Sequence, residues 1–128
     1  MKKILIVDDE KNIRIALSHC LKSEDYDVYM ACDGEEAVQK IENDKFDLIL
    51  VDYQMPNKNG LEVLNEIRNK GILTSVIMMT AYRTVNIAVE AMKFGAIDLI
   101  SKPFSIEKLK ESVKSSLEKD NNMLRVDI

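Results

Sequence analysis

Residues 48–56 read LILVDYQMP, four apolar residues followed by a carboxylate, Asp52, and closed by Pro56. The apolar run is too short for a buried helix and carries branched side chains, so it predicts a strand that is covered on both faces, as in a parallel α/β sheet. Ligands of open α/β sheets bind outside the carboxyl ends of the strands. Asp52 therefore lies where chemistry is expected, although a strand ending in aspartate is also a common turn or capping device.

Composition limits the classes of protein to consider. The chain has 128 residues, 46% of them hydrophobic, which suits one compact domain with one core. Its longest apolar runs have only four or five residues, so we expect no transmembrane helix, no signal peptide and a cytoplasmic location. The net charge of −4 offers no basic surface for nucleic acid or membrane. Cys20 and Cys32 lack metal-binding spacing and are expected to be reduced.

Apolar runs recur along the chain and alternate with helix-like spacing. The predicted strands cover residues 4–7, 28–32, 48–51, 76–79 and 99–100. Each is followed by apolar residues spaced at three and four, and in the fourth helix Val85, Ala88, Val89 and Met92 form the predicted apolar stripe. Thr84 and Ser105 are predicted to cap the last two helices. Five such units joined by right-handed crossovers predict a flavodoxin-like, doubly wound parallel sheet in the order 2-1-3-4-5, with helices on both faces.

A parallel sheet brings the carboxyl ends of its strands to one edge. This edge is expected to collect Asp8 and Asp9, Asp52, Thr80 and Lys102 from four different strands. Crowded carboxylates repel one another unless a cation neutralises them. Hard oxygen donors without histidine or cysteine suit Mg²⁺, with Mn²⁺ as a substitute, and Mg²⁺ sites usually include phosphate oxygens.

Each group at this edge has a chemical role if the substrate carries phosphate. Asp52 can act as a nucleophile that accepts a phosphoryl group. The ammonium of Lys102 can balance phosphate charge, and the hydroxyl of Thr80 can donate a hydrogen bond to a phosphate oxygen. Such a protein catalyses only its own phosphorylation and dephosphorylation and is not otherwise an enzyme.

Taken together, these residues resemble the receiver domain of response regulators in two-component signalling. The pattern consists of Asp8-Asp9 after the first strand, Asp52 with Met55-Pro56 and Gly60, Thr80-Ala81 after the fourth strand, and Lys102-Pro103-Phe104 after the fifth. The resemblance predicts a receiver domain over residues 1–118. Residues 119–128 are then a C-terminal helix extension, a tail or the start of a linker.

The resemblance implies that Asp52 takes a phosphoryl group from a phosphohistidine on a sensor histidine kinase or a histidine phosphotransfer protein. It also implies that Asp9 and Asp52 bind Mg²⁺ directly, that Asp8 helps largely through water, and that the backbone carbonyl of Gln54 is a further ligand. Gln54 and Tyr82 lie where members of the family tune the lifetime of the phosphoryl group.

The resemblance further implies a cis bond between Lys102 and Pro103. Many receivers have an aromatic switch residue three positions before the lysine, where this chain has Leu99. We therefore expect Thr80 to couple phosphorylation to helix 4, strand 5 and helix 5, with Leu99 repacking in place of the aromatic residue.

A closer similarity is to the receivers of sigma-54-dependent transcription activators. It rests on MTAY at 79–82, AVEA at 88–91 with GA at 95–96, and KPF at 102–104. It implies an output ATPase and DNA-binding domain in a longer chain. Separately, the charged face of the last helix, with Glu107, Lys108, Lys110 and Glu111, is either a solvated face or the contact of a homodimer that forms on phosphorylation.

Other classes of function remain alternatives. A receiver-like module could bind partners without being phosphorylated. A Mg²⁺-dependent phosphohydrolase is less favoured, because the Asp-x-Asp pattern of such enzymes corresponds here to Asp8 and Glu10. A flavodoxin-like cofactor carrier would need a phosphate-binding loop rich in glycine and hydroxyl groups, and the acids after the first strand would repel that phosphate.

Overall fold

Strands and helices alternate along the whole chain in a computed structural model that describes residues 1–82 and 84–126, with side chains through residue 119. In chain order the elements are β1 (Lys3–Val7), α1 (Lys11–Lys22), β2 (Asp27–Ala31), α2 (Gly34–Asn43), β3 (Leu48–Asp52), α3 (Gly60–Asn69), β4 (Ser75–Thr80), α4 (Val85–Lys93), β5 (Asp98–Ser101) and α5 (Ile106–Val126). The five predicted strand-and-helix units are confirmed.

The five strands form one parallel sheet in the order β2-β1-β3-β4-β5, as predicted. β3 is the central strand, and all five of its residues are buried. In register, Leu48 lies between Ile4 of β1 and Ser75 of β4. β2 lies at one edge of the sheet and exposes Tyr29 and Met30.

Each central strand buries side chains on both faces of the sheet, because successive side chains point in opposite directions. Leu5 and Ile49 pack in the hydrophobic cluster formed with α2, α3 and α4, whereas Ile4 and Leu48 pack in the cluster formed with α1 and α5. This two-sided burial explains why the strands read as continuous apolar runs.

The helix ends follow the predicted capping chemistry. Thr84 accepts a hydrogen bond from the amide of Ile87, and Ser105 accepts one from the amide of Lys108. At the C-terminal end, α5 continues to Val126, so residues 119–126 are helical, while the choice between an extension, a tail and the start of a linker stays a prediction. The domain boundary at residue 118 stays a prediction, and residues 127 and 128 lie outside the described part of the chain.

The apolar face of α4 differs from the expectation of a stripe packed on the core. Ile87 and Ala91 are its buried residues. Val85, Val89 and Met92, which the spacing placed in the stripe, are 78%, 56% and 58% exposed. Apolar residues occupy both sides of this helix, so their spacing does not identify the side that meets the sheet.

Among the residues that the structure describes, no helix has the length and apolar character needed to cross a bilayer.

Candidate functional site

The carboxyl edge of the sheet gathers the predicted polar residues. Asp8 follows β1, Asp52 ends β3, Thr80 ends β4 and Lys102 follows β5. Asp8 and Thr80 are fully buried and Asp52 is 4% exposed, whereas Asp9 is open to solvent. One carboxylate oxygen from each of Asp8, Asp9 and Asp52 lies within 4.8 Å of the others. The fold therefore builds a three-carboxylate cluster from residues far apart in sequence.

Lys102 supplies the positive charge of the cluster. Its Nζ lies 2.8 Å from Oδ2 of Asp8 and 3.4 Å from Oδ2 of Asp52. The other oxygen of Asp8 accepts a hydrogen bond of 3.0 Å from the amide of Glu10. Both oxygens of Asp8 are thus occupied by protein donors, and Asp52 has the weaker contact with the lysine.

This arrangement sets the protonation of the central carboxylate. Burial raises the pKa of Asp52 to about 6, with Lys102 acting in the opposite direction and the charge of Asp8 adding to the increase. Burial alone would lower the pKa of Lys102, but its hydrogen bond with Asp8 and the charge of Asp52 outweigh that effect, so the pKa is raised. At neutral pH Asp52 is a desolvated, ionised carboxylate, which is the reactive form of a nucleophile.

Two of the three acids, Asp9 and Asp52, line a cavity of about 550 Å³ at the carboxyl edge. Its walls also include Lys102 and Gln54, which lies in the loop after β3. A cluster of hard oxygen donors beside an open cavity fits Mg²⁺, which keeps several waters and shares phosphate oxygens. The direction of the Gln54 carbonyl is not fixed by any described contact, so its predicted role as a ligand stays a prediction.

Gly60 brings the start of α3 against the end of β3. Its amide donates a hydrogen bond of 2.9 Å to the carbonyl of Tyr53. A Cβ on Gly60 would lie 2.6 Å from the carbonyl oxygen of Asp52 and 2.7 Å from Sδ of Met78. Glycine is needed here because the start of α3 approaches the backbone of Asp52 too closely for a side chain.

The hydroxyl of Thr80 is engaged within its own loop. Oγ1 accepts a hydrogen bond of 2.9 Å from the amide of Tyr82 and lies 3.2 Å from the carbonyl of the same residue. Tyr82 itself is 56% exposed. Thr80 therefore lies at the predicted edge, but its hydroxyl bonds to backbone rather than to Asp52.

Two further predicted positions, Leu99 and Pro103, lie on β5 and directly after Lys102. Leu99 is buried in the same cluster as Ile87 and Ala91 of α4. The bond between Lys102 and Pro103 is cis, as the resemblance implied.

Sequence reasoning missed Arg14. This residue of α1 donates a hydrogen bond of 2.7 Å from Nη1 to the carbonyl of Asp8 and so braces the loop that carries Asp8 and Asp9. The acceptor is a backbone oxygen, which leaves no signal in the pattern of residue types.

Comparison with known proteins gives a consistent result. The family model described as response regulator receiver domain matches residues 4–114. The alkaline phosphatase synthesis transcriptional regulatory protein PhoP of Bacillus subtilis is 40% identical over 116 residues, which cover 91% of this chain and 48% of PhoP. The chain thus spans about half the length of this relative.

Solved structures agree with the family model. A CheY-like receiver domain protein from Methanospirillum hungatei superposes with a TM-score of 0.91 at 32% identity, covering 96% of this chain and 98% of that one. The response regulator TrrA from Thermotoga maritima, in complex with Mg²⁺-BeF, is 40% identical with a TM-score of 0.81, covering 90% and 98% of the two chains. The closer similarity to sigma-54-dependent activators is not tested by these matches and stays a prediction.

Proposed function

Because this chain belongs to the family of response regulator receiver domains, we propose that it is a signalling switch phosphorylated on Asp52. The donor is a phosphohistidine on a sensor histidine kinase or a histidine phosphotransfer protein. The observation that carries the proposal is the placement of Asp52, buried at the end of the central strand, 3.4 Å from Lys102 and within one three-carboxylate cluster.

In the proposed reaction an oxygen of Asp52 attacks the phosphorus of the donor. A bond forms between that oxygen and phosphorus, the phosphorus–nitrogen bond breaks, and the electron pair stays on the histidine nitrogen. Lys102 already lies beside Asp52 and can follow the phosphoryl oxygens with its ammonium. The chain thereby catalyses its own phosphorylation, and the same groups serve hydrolysis by water.

The residues proposed to hold Mg²⁺, or Mn²⁺ in its place, are Asp9 and Asp52, with Asp8 acting largely through water and the carbonyl of Gln54 as a further ligand. When bound, the cation would neutralise the negative charge of the phosphoryl group. The division of roles is supported by the hydrogen bonds to both oxygens of Asp8, which leave Asp9 the more accessible carboxylate. The TrrA structure, which holds Mg²⁺ with beryllium fluoride, a stand-in for the phosphoryl group, supports the same chemistry.

The output is proposed to pass through Thr80. If its hydroxyl turns to a phosphoryl oxygen, its two hydrogen bonds with Tyr82 are lost and the loop before α4 is released. Leu99 lies in the same hydrophobic cluster as Ile87 of α4 and can repack as that helix moves. We also propose that Gln54 and Tyr82 affect the lifetime of the phosphoryl group on Asp52.

The surface of α4, β5 and α5 is the proposed output surface. Val89 and Met92 on α4 are exposed, as is Ile106 at the start of α5. Exposed apolar residues of this kind suit a protein contact. The contact is either with an output ATPase or DNA-binding domain or with a second copy of the chain in a homodimer that forms on phosphorylation.

The test is the intact mass of the protein after incubation with acetyl phosphate and Mg²⁺. We expect one added phosphoryl group on the wild type, none on Asp52→Asn and none in EDTA. Glu10→Gln is the matched control, because Glu10 lines the same cavity but lies outside the three-carboxylate cluster. This variant is expected to be phosphorylated.

One result would contradict the proposal, and a second would need a further measurement before it could be interpreted. Absence of both adduct and phosphate release would favour a module that works without phosphorylation. Rapid phosphate release without adduct would point either to a hydrolase or to a short-lived phosphoaspartate. A beryllium fluoride titration separates these, since only the second retains a stable adduct at Asp52.

A further inference from the structure

Arg68, near the C-terminal end of α3, contacts four backbone carbonyls. Its Nε lies 2.9 Å from the carbonyl of Phe94 and its Nη2 lies 3.2 Å from that of Gly95. Its Nη1 lies 2.8 Å from the carbonyl of Ile72 and 3.0 Å from that of Thr74. One side chain therefore joins the end of α3, the segment leading into β4 and the end of α4.

All four acceptors are backbone carbonyls. Among the side chains that the structure describes, no carboxylate lies at ion-pair distance from Arg68, although the guanidinium is half-buried and its burial lowers its pKa. The C-terminal end of a helix carries partial negative charge, and Phe94 is the C-cap of α4. The cation thus compensates the end of α4 in place of an acidic partner.

The geometry leaves little space between this guanidinium and the end of α4. Gly95 has a φ of +83°, and a Cβ at this position would lie 3.4 Å from Nε of Arg68. The amides of Phe94, Gly95 and Ala96 close the helix by donating to carbonyls of the preceding turn. Arg68 therefore binds a segment that is already ordered by its own hydrogen bonds.

The two ends of α4 are attached differently. Only Ile87 and Ala91 are buried along the helix, so its packing on the sheet is narrow. The N-terminal end begins at Thr84, directly after the loop whose backbone bonds to Thr80. The C-terminal end is fixed to α3 by Arg68.

We propose that Arg68 is the fixed point about which α4 moves. A rearrangement at Thr80 then displaces the N-terminal end of α4, near Val85, while the end at Phe94 and Gly95 stays attached to α3. This inference rests on the proposed phosphorylation switch, and it specifies which part of the output surface responds.

The experiment measures amide hydrogen exchange by NMR in the whole chain, free and with Mg²⁺ and beryllium fluoride. In the wild type we expect the adduct to change exchange at residues 85–88 and to leave residues 94–96 unchanged. In Arg68→Met we expect exchange at residues 94–96 of the free protein to rise roughly tenfold, because the charge-assisted bonds that hold this end are gone. We also expect the response to the adduct to spread along the whole of α4.

Two further variants keep the test decisive. Arg68→Lys retains the charge but has a single ammonium, which cannot span four carbonyls, so it should show an intermediate effect and folds if the methionine variant does not. Lys70→Met removes a cation two positions further on that pairs with Glu42 at the surface. It should behave as the wild type in both states.

The outcomes separate this inference from the proposed function. A beryllium fluoride adduct with unchanged exchange at residues 94–96 in both Arg68 variants overturns the fixed point alone. An adduct that alters both ends of α4 equally in the wild type also overturns it. Absence of any adduct at Asp52 in the wild type overturns the proposed switch, and the motion about Arg68 with it.

Discussion

Lys102 and Asp8 form a buried ion pair, with Nζ of the lysine 2.8 Å from Oδ2 of an aspartate that has no exposed surface. Asp52 lies further from the same ammonium, at 3.4 Å. One cation is thus divided between two buried carboxylates, and it favours the one that is not the proposed phosphoryl acceptor. The unequal division leaves Asp52 as the residue whose charge is poorly compensated, which has measurable consequences for stability.

Asp52→Asn should stabilise the metal-free protein at neutral pH. The pKa of Asp52 is raised from 3.8 to about 6 in the folded state, so its contribution to stability is complete below about pH 4 and is lost as pH rises through about 6. The shift corresponds to about 3 kcal/mol at most at pH 7, and we expect a gain of about 1–3 kcal/mol from the substitution. Urea unfolding followed by circular dichroism at several pH values measures it. Equal pH dependence in variant and wild type would contradict the assignment.

Mg²⁺ should stabilise the wild type and have much less effect on Asp52→Asn. A ligand that binds only the folded state adds about 1.4 kcal/mol at a concentration of ten times its dissociation constant. The increase should vanish in EDTA. Urea unfolding in Ca²⁺-free buffer, with and without Mg²⁺, measures the change in the free energy of unfolding. Glu10→Gln should respond as the wild type does, because Glu10 is outside the carboxylate cluster.

Lys102→Met should destabilise the protein by about 3 kcal/mol at neutral pH, because it leaves two buried carboxylates without their cation. The loss should shrink as the pH falls through about 6, where Asp52 becomes protonated and no longer needs a cation. Lys110→Met is the comparison, since Lys110 forms an exposed pair with Glu24 at 3.8 Å and such pairs contribute about 0–1 kcal/mol. Similar losses for the two variants in urea unfolding would show that the buried pair has no special role.

Thr80→Val should separate phosphorylation from the response of α4. The substitution keeps the shape of a buried side chain but removes both hydrogen bonds with Tyr82, at a cost of about 1–2 kcal/mol. We expect the acetyl phosphate adduct to form and the amide exchange of residues 85–88 to be altered already in the free protein. Thr80→Ser keeps the hydroxyl and should restore the wild-type pattern. Amide exchange at residues 85–88 that is the same in Thr80→Val as in the wild type would contradict the role of the hydroxyl.

The sequence predicts the fold and the membership of the site for one physical reason. Strands buried on both faces appear as continuous apolar runs, and the residue after each run must lie at the carboxyl edge of a parallel sheet. Asp8 and Asp52 follow from that rule alone, and Lys102 comes two residues after the last run. The direction in which each side chain points does not follow from this rule. The hydroxyl of Thr80, for example, bonds to the backbone of its loop, and such a contact leaves no pattern in the residue types.

Long-range contacts with backbone escape prediction for the same reason. The acceptors of Arg68 on α4 are carbonyls 26 and 27 residues away, and any residue could supply them. The exposed face of α4 is not predicted for another reason. Apolar residues lie on both sides of the helix, as the buried Ile87 and the exposed Val89 show. Composition identifies the helix but not its buried side.

Gly60→Ala should impair phosphorylation through the backbone of Asp52. Alanine is the better helix former by about 1 kcal/mol, but its Cβ would lie 2.6 Å from the carbonyl oxygen of Asp52, which cannot move aside as the nearby side chain of Met78 can. We expect a net loss of about 1–3 kcal/mol and slower uptake of phosphoryl groups from acetyl phosphate. Gly71→Ala is the matched control. The φ of +79° at Gly71 makes alanine strained, but apart from the chain neighbours no atom would lie within 4 Å of the added Cβ. Both variants should lose stability, but only Gly60→Ala should lose phosphorylation rate, and equal rates would show that the close approach at Gly60 does not position Asp52.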